Sequence, residues 1–228
     1  MPGLRRAEVL LVLLLALFCA GVWSVILAPY FYGSAEGIVQ TPAAVEAART
    51  EAVKQSSSLS RVSALLAGAP AALAPRSKTT GCAVAGALPD RECTPGSVFA
   101  DATPAKICVS GYTKRVRSVS TKLRKQLFAA YGVAYPPPTG AYELDHLVPL
   151  ALGGDNSAAN LFPEAAEPKP GFKEKDVVEV YLYEEMCAGR LDLKAAQTQV
   201  AEDWTAVYAL LDKSDISRIR QKYTSWAN

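Results

Sequence analysis

Tyr142-Glu143-Leu144-Asp145-His146-Leu147-Val148-Pro149-Leu150 is the stretch on which the reading of this 228-residue chain turns. Its length, its partial alternation of apolar and polar side chains, and the Gly and Pro signals that flank it predict a strand. Pro149 donates no hydrogen bond and argues against a central place in a sheet. His146 is the only histidine in the sequence. Any step that needs an imidazole near neutral pH therefore falls to it. Neighbouring residues of a strand face opposite sides, so Asp145 and His146 can share a site only where the strand ends or bends. Pro149 and the Gly153-Gly154 pair supply the means for that distortion.

Downstream, Gly153-Gly154-Asp155-Asn156 signals a turn, and Asn160-Leu161-Phe162-Pro163 a second short extended piece. After Pro170-Gly171 the pattern becomes helical, with Val178, Tyr181, Leu182 and Met186 on one face and Gly189 as the stop. A further helix starts behind Asp192 and carries Leu193, Ala196, Val200, Trp204 and Val207, and a last one runs from Asp215 to Tyr223. Upstream, Val116, Val119, Leu123 and Leu127 predict one helix from Gly111 to Tyr131, ended by Gly132. The expected domain, residues 81–228, is α+β: mostly helical around a strand, loop, strand, helix centre.

Asp145-His146, the Gly-Gly turn, Asn160 fourteen residues after the histidine and the following helix resemble the HNH endonucleases, the ββα-metal nucleases. The resemblance is narrower to bacterial HNH proteins with a Glu-Leu-Asp-His-Leu-Val-Pro-Leu segment and an Asn-Leu-Phe-Pro segment. The core motif covers 142–187. The flanks Gly111 to Arg117 and Cys187 to Trp204 extend the likeness to about half the chain. It implies a small ββα-metal motif and hydrolysis of phosphodiester bonds, with His146 taking the proton from water and Asn160 bracing the loop and aligning the histidine. Asp145 would hold a divalent cation, Mg²⁺ or Mn²⁺ first and Zn²⁺ or Ni²⁺ as alternatives, to neutralise phosphate charge.

The helix opening Phe172-Lys173-Glu174-Lys175-Asp176 departs from the pattern, for many relatives place a His or Asn there. Lysine ammonium has no lone pair for a metal. Asp176 is the best substitute ligand and Glu179 the reserve, and either could instead pair with Lys173 or Lys175. The departure leaves a second reading open: an inactive HNH-like module that binds nucleic acid or an envelope partner.

Near-even charge, 24 Lys plus Arg against 22 Asp plus Glu, excludes a wholly basic DNA-coating protein. The balance is uneven along the chain. Ala102 to Tyr142 carries seven basic and no acidic residues. Lys114, Arg115, Arg117, Lys122, Arg124 and Lys125, with Lys175 from the later helix, are the expected phosphate contacts, and DNA is the expected partner, with RNA open. No GxxxxGK loop or dinucleotide fingerprint is present.

From Val9 to Ala35 there is no charge, and Arg5 and Arg6 precede the apolar run. About 20 such residues span a bilayer core. Residues 1–35 are therefore expected to be a single-pass transmembrane helix that leaves the C-terminal domain outside the cytoplasm, with membrane as a second partner; a signal cleaved near Gly33-Ser34-Ala35 is the alternative. The Ala/Ser/Pro-rich stretch 36–80 reads as a flexible linker, with a short helix from Thr41-Pro42 through Lys54. Beyond the apolar run, Cys82, Cys93, Cys108 and Cys187 permit three disulfide connectivities. Their spacing matches no CxxC knuckle. Cys82 with Cys93 and Cys108 with Cys187 is the favoured pairing, and buried free thiols are the alternative.

Overall fold

The computed structural model describes residues 41–223, so the expected anchor at 1–35 lies outside the described residues. Among the described residues no helix is long and apolar enough to cross a membrane. They divide between Arg49 and Thr50 into two units. In the first, Thr41 Oγ1 accepts from the Ala44 N–H at 3.3 Å and opens helix α1 (Pro42–Ala67).

The rest of α1 belongs to the second unit, and there the structure corrects the linker expectation. The helix continues past Lys54 to Ala67 and buries Ser58, Val62 and Leu66. The serine cluster read as a spacer is instead a docking point. Ser57 and Ser58 donate to Asp212 Oδ2 at 2.7 and 3.1 Å, and Ser58 Oγ accepts from the Asp212 N–H at 3.0 Å. Beyond the helix, Leu73 packs on the core and Arg76 Nε donates to the Cys93 carbonyl at 2.8 Å.

Three short helices precede the hairpin. α2 (Pro104–Ile107) begins at a proline. The single helix predicted for Gly111 to Tyr131 is two, α3 (Tyr112–Val116) and α4 (Thr121–Ala130), because Ser120 caps the second through the Leu123 N–H at 3.2 Å. β1 (Tyr142–His146) pairs antiparallel with β2 (Leu161–Ala165), Tyr142 opposite Ala165 and His146 opposite Leu161. α5 (Phe172–Cys187) and α6 (Leu193–Leu210) follow, the latter capped by Asp192 as expected. Asp203 is extended (φ −164°, ψ 95°) and kinks α6, its Oδ1 accepting from the Thr205 and Ala206 N–H groups. α7 (Lys213–Lys222) closes the described chain.

The hairpin is sandwiched. Leu144 and Leu161 pack on Leu127 and Phe128 of α4. On the other face α5 seats Val177, Val178, Tyr181 and Leu182 in the main core, which α6 completes with Ala196, Val200, Trp204 and Val207. Strand, loop, strand and helix thus occur in the order read from the sequence.

Both favoured disulfides are formed, Cys82–Cys93 across 11 residues and Cys108–Cys187 across 79. The longer loop constrains the unfolded chain more, by roughly 4 kcal/mol against about 3 for the shorter in the chain-entropy account. Cys108→Ser with Cys187→Ser is accordingly expected to lower the urea midpoint further than Cys82→Ser with Cys93→Ser. The reverse order would show that native packing, not loop closure, dominates.

Candidate active site

β1 ends at His146 because the next two peptide groups turn to Asn160. The Leu147 N–H donates to the Asn160 carbonyl at 2.8 Å, and the Val148 N–H to Asn160 Oδ1 at 2.8 Å. Asn160 Nδ2 donates in turn to the carbonyls of Val148 and Asp155, both at 2.9 Å, and Oδ1 also accepts from the Ser97 N–H at 3.3 Å. This wholly buried amide closes the loop between the strands. It does not line the cleft, so its place is positioning rather than contact with a reacting group. The loop requires the two glycines. Gly153 has φ +80°, and a Cβ on Gly154 would lie 1.8 Å from the Val148 carbonyl oxygen and 2.8 Å from Asn160 Nδ2.

The strand end resolves the concern that Asp145 and His146 would face apart. Both line one cleft of about 620 Å³, together with Glu143, Arg117, Asp176, Glu179 and aromatic walls that include Tyr112 and Tyr183. Asp145 Oδ1 accepts from the His146 N–H at 2.7 Å.

His146 is held by a residue that the sequence reading passed over as part of a turn, Asn156. His146 Nε2 lies 3.1 Å from Asn156 Oδ1. That oxygen also accepts from the Ser118 N–H at 3.2 Å, while Asn156 Nδ2 donates to the Val116 carbonyl at 2.8 Å. The amide is thereby oriented, and only a ring Nε2–H completes the contact. The neutral ring then carries its lone pair on Nδ1. The helix break after Val116 matters here, since a continuous helix would have used the backbone groups that hold Asn156. Burial lowers the His146 pKa from the ordinary histidine value, outweighing the Asn156 hydrogen bond and the Asp145 charge, so the ring is neutral at pH 7.

Lys175 overturns one expectation. It was a candidate nucleic-acid contact, but it is wholly buried, and its Nζ donates to Asp145 Oδ2 at 2.8 Å, the His146 carbonyl at 2.7 Å and Glu179 Oε1 at 2.7 Å. One turn of α5 carries it inward with Glu179, and all three ammonium hydrogens are used. Burial would raise the Asp145 pKa, but the Lys175 ammonium, through its charge and its hydrogen bond, brings it down to about 2. Glu164, also missed, is buried against Asp145 with no N–H or O–H group donating to it. Burial holds its pKa well above the carboxylate range. The hairpin register betrays it: Glu143, Asp145 and Glu164 alternate onto one face.

Asp176 is different. Burial, then the Glu179 and Asp145 carboxylates, push its pKa up to about 8, and no hydrogen bond or ion pair reaches its carboxylate among the described residues. Among those residues no three His, Cys, Asp or Glu side chains group to hold a metal ion. The donor set suits instead an ion that keeps most of its water and takes one or two carboxylates, as Mg²⁺ does. Asp145 and Glu179 are both already bound to Lys175, which leaves Asp176 as the one uncompensated carboxylate among these candidate ligands.

Of the expected phosphate contacts, exposed Arg117 lines the cleft. Lys114 and Arg115 are exposed on α3, Arg115 donating to the Ser110 carbonyl at 2.8 Å. Arg124 is half-buried on α4 and does not line the cleft. Lys122 and Lys125 are exposed there too, Lys125 lying 5.8 Å over the Tyr135 ring. Comparison with protein-family models, curated proteins and solved structures finds no match for this chain.

Proposed function

We propose that the domain is an HNH-type endonuclease that hydrolyses DNA phosphodiester bonds with a divalent cation, outside the cytoplasm. The observation that carries this reading is the convergence on one open cleft of Asp145 and His146, whose Nε2 lies 3.1 Å from Asn156 Oδ1. Nδ1 of His146 accepts the proton of the attacking water, and the ring is held for that by Asn156. Arg117 at the cleft meets a phosphate oxygen. A cation held by Asp145 and Asp176 would offset charge on the phosphate and on the departing oxygen. Two disulfides support an oxidising compartment, and a tether through residues 1–35 is part of the same proposal.

Plasmid DNA incubated with the full-length protein and Mg²⁺ or Mn²⁺ should be nicked and linearised, and EDTA should stop it. No cleavage with any divalent ion would remove the enzymatic reading. The capture of Asp145 and Glu179 by Lys175 favours one alternative, an inactive binding module, which would instead show salt-dependent DNA binding without turnover.

Asp176→Asn checks the metal assignment. A carboxyl whose folded pKa is raised favours folding at low pH and loses that contribution as pH rises through about 8. Without metal, Asp176→Asn should therefore gain urea stability over the unaltered protein between pH 4 and 8, with the gain level above that. With Mn²⁺ added, only the unaltered protein should be stabilised. A stabilisation by Mn²⁺ equal in both would clear Asp176 of the role.

A further inference from the structure

We infer that Lys175 is the positioning residue of this cleft: its ammonium is a built-in cation that fixes the Asp145 carboxylate and the end of β1, and so sets the orientation of His146. The inference rests on the nuclease reading and deepens it. The three acceptors at 2.7–2.8 Å are an aspartate of β1, a glutamate one turn along α5, and the carbonyl of His146 itself. The last is the telling one. A lysine placed only to balance two acids has no need of the peptide that carries the histidine.

Asp145 is tied at both oxygens, Oδ2 to Lys175 and Oδ1 to the His146 N–H. The His146 peptide is thus gripped on its N–H side through Asp145 and on its carbonyl side by Lys175 directly. The ring is gripped separately by Asn156. With its donors saturated and its side chain inaccessible, Lys175 cannot meet a phosphate. Its ammonium also occupies the space between Asp145 and Glu179.

A buried ion pair contributes to folding as well, and removing one partner strands the other. The test separates the two roles. Glu179→Gln is the reference, and Lys175→Met with Glu179→Gln removes one cation and one anion together, leaving the net charge of the cluster as in the unaltered protein. His146 is the only histidine, so the ring nitrogen spectrum of the full chain reports its tautomer without ambiguity. Relative to the reference, the double variant is expected to lose the predominance of the Nε2–H form and at least tenfold in kcat, with KM changed less than twofold. A double variant whose tautomer matches the reference overturns the inference. Should that variant not fold, Lys175→Gln, whose amide still donates two hydrogen bonds, gives the same readout. The tautomer measurement uses no DNA. Failure of the unaltered protein to cleave would therefore overturn the nuclease reading, while the spectrum alone decides the role of Lys175.

Discussion

His146→Ala is expected to lower DNA cleavage by about 10²–10⁴-fold, the usual worth of a positioned general base, with KM nearly unchanged. The residue is the only imidazole in the chain, and its Nε2–H is occupied by Asn156, so no second histidine can stand in at Nδ1. The pH profile carries the sign. The working form is neutral, and burial lowers the ring pKa below its ordinary 6.5. The acid limb of kcat/KM should therefore fall at a pH below 6.5, not above it. Asn156→Asp puts a carboxylate against Nε2–H, favours the imidazolium and should move that limb upward. Cleavage by His146→Ala at the unaltered rate and with an unaltered profile would remove the assigned base.

Asn160→Leu should cost at least about 3 kcal/mol in urea unfolding and abolish cleavage together. Leucine fills a similar volume but leaves the Val148 and Ser97 N–H groups and the Val148 and Asp155 carbonyls without their partners. Each such buried group costs on the order of 1–3 kcal/mol. Asn160→Asp separates the two halves of the amide. Its one oxygen can still accept from Val148 N–H, while the other would face two carbonyl oxygens, so it should remain substantially destabilised at neutral pH. A Leu variant with an unshifted midpoint would mean that the loop is closed by something other than this amide.

The sequence made the local elements readable where the signal was itself local. Asp192 as a cap, Gly189 as a stop and the 3.6-residue stripe of Val178, Tyr181, Leu182 and Met186 act within one helix, and they describe α5 and α6 well. Asp145 and His146 were legible because one histidine leaves no competition. What failed depended on distant partners. Ser57 and Ser58 read as a spacer until Asp212, more than 150 residues away, is brought to them. The helix break after Val116 is supported by Asn156, which lies 38 residues beyond Ser118. Lys175 looked like a surface charge because its spacing to Glu179 fits an exposed helix pair as well as a buried one. Only the packing of α5 against β1 adds Asp145 and the His146 carbonyl and turns it inward.

Cys108 lies between Ile107 and Val109, both on the cleft wall, and Cys187 ends the helix that brings Asp176, Glu179 and Tyr183 to its floor. Wall and floor are therefore cross-linked directly only after oxidation. In thiol-containing buffer they are joined by packing alone, so nuclease assays belong in reductant-free solution. A newly made chain still facing a reducing cytoplasm would lack that cross-link between the two sides of its cleft.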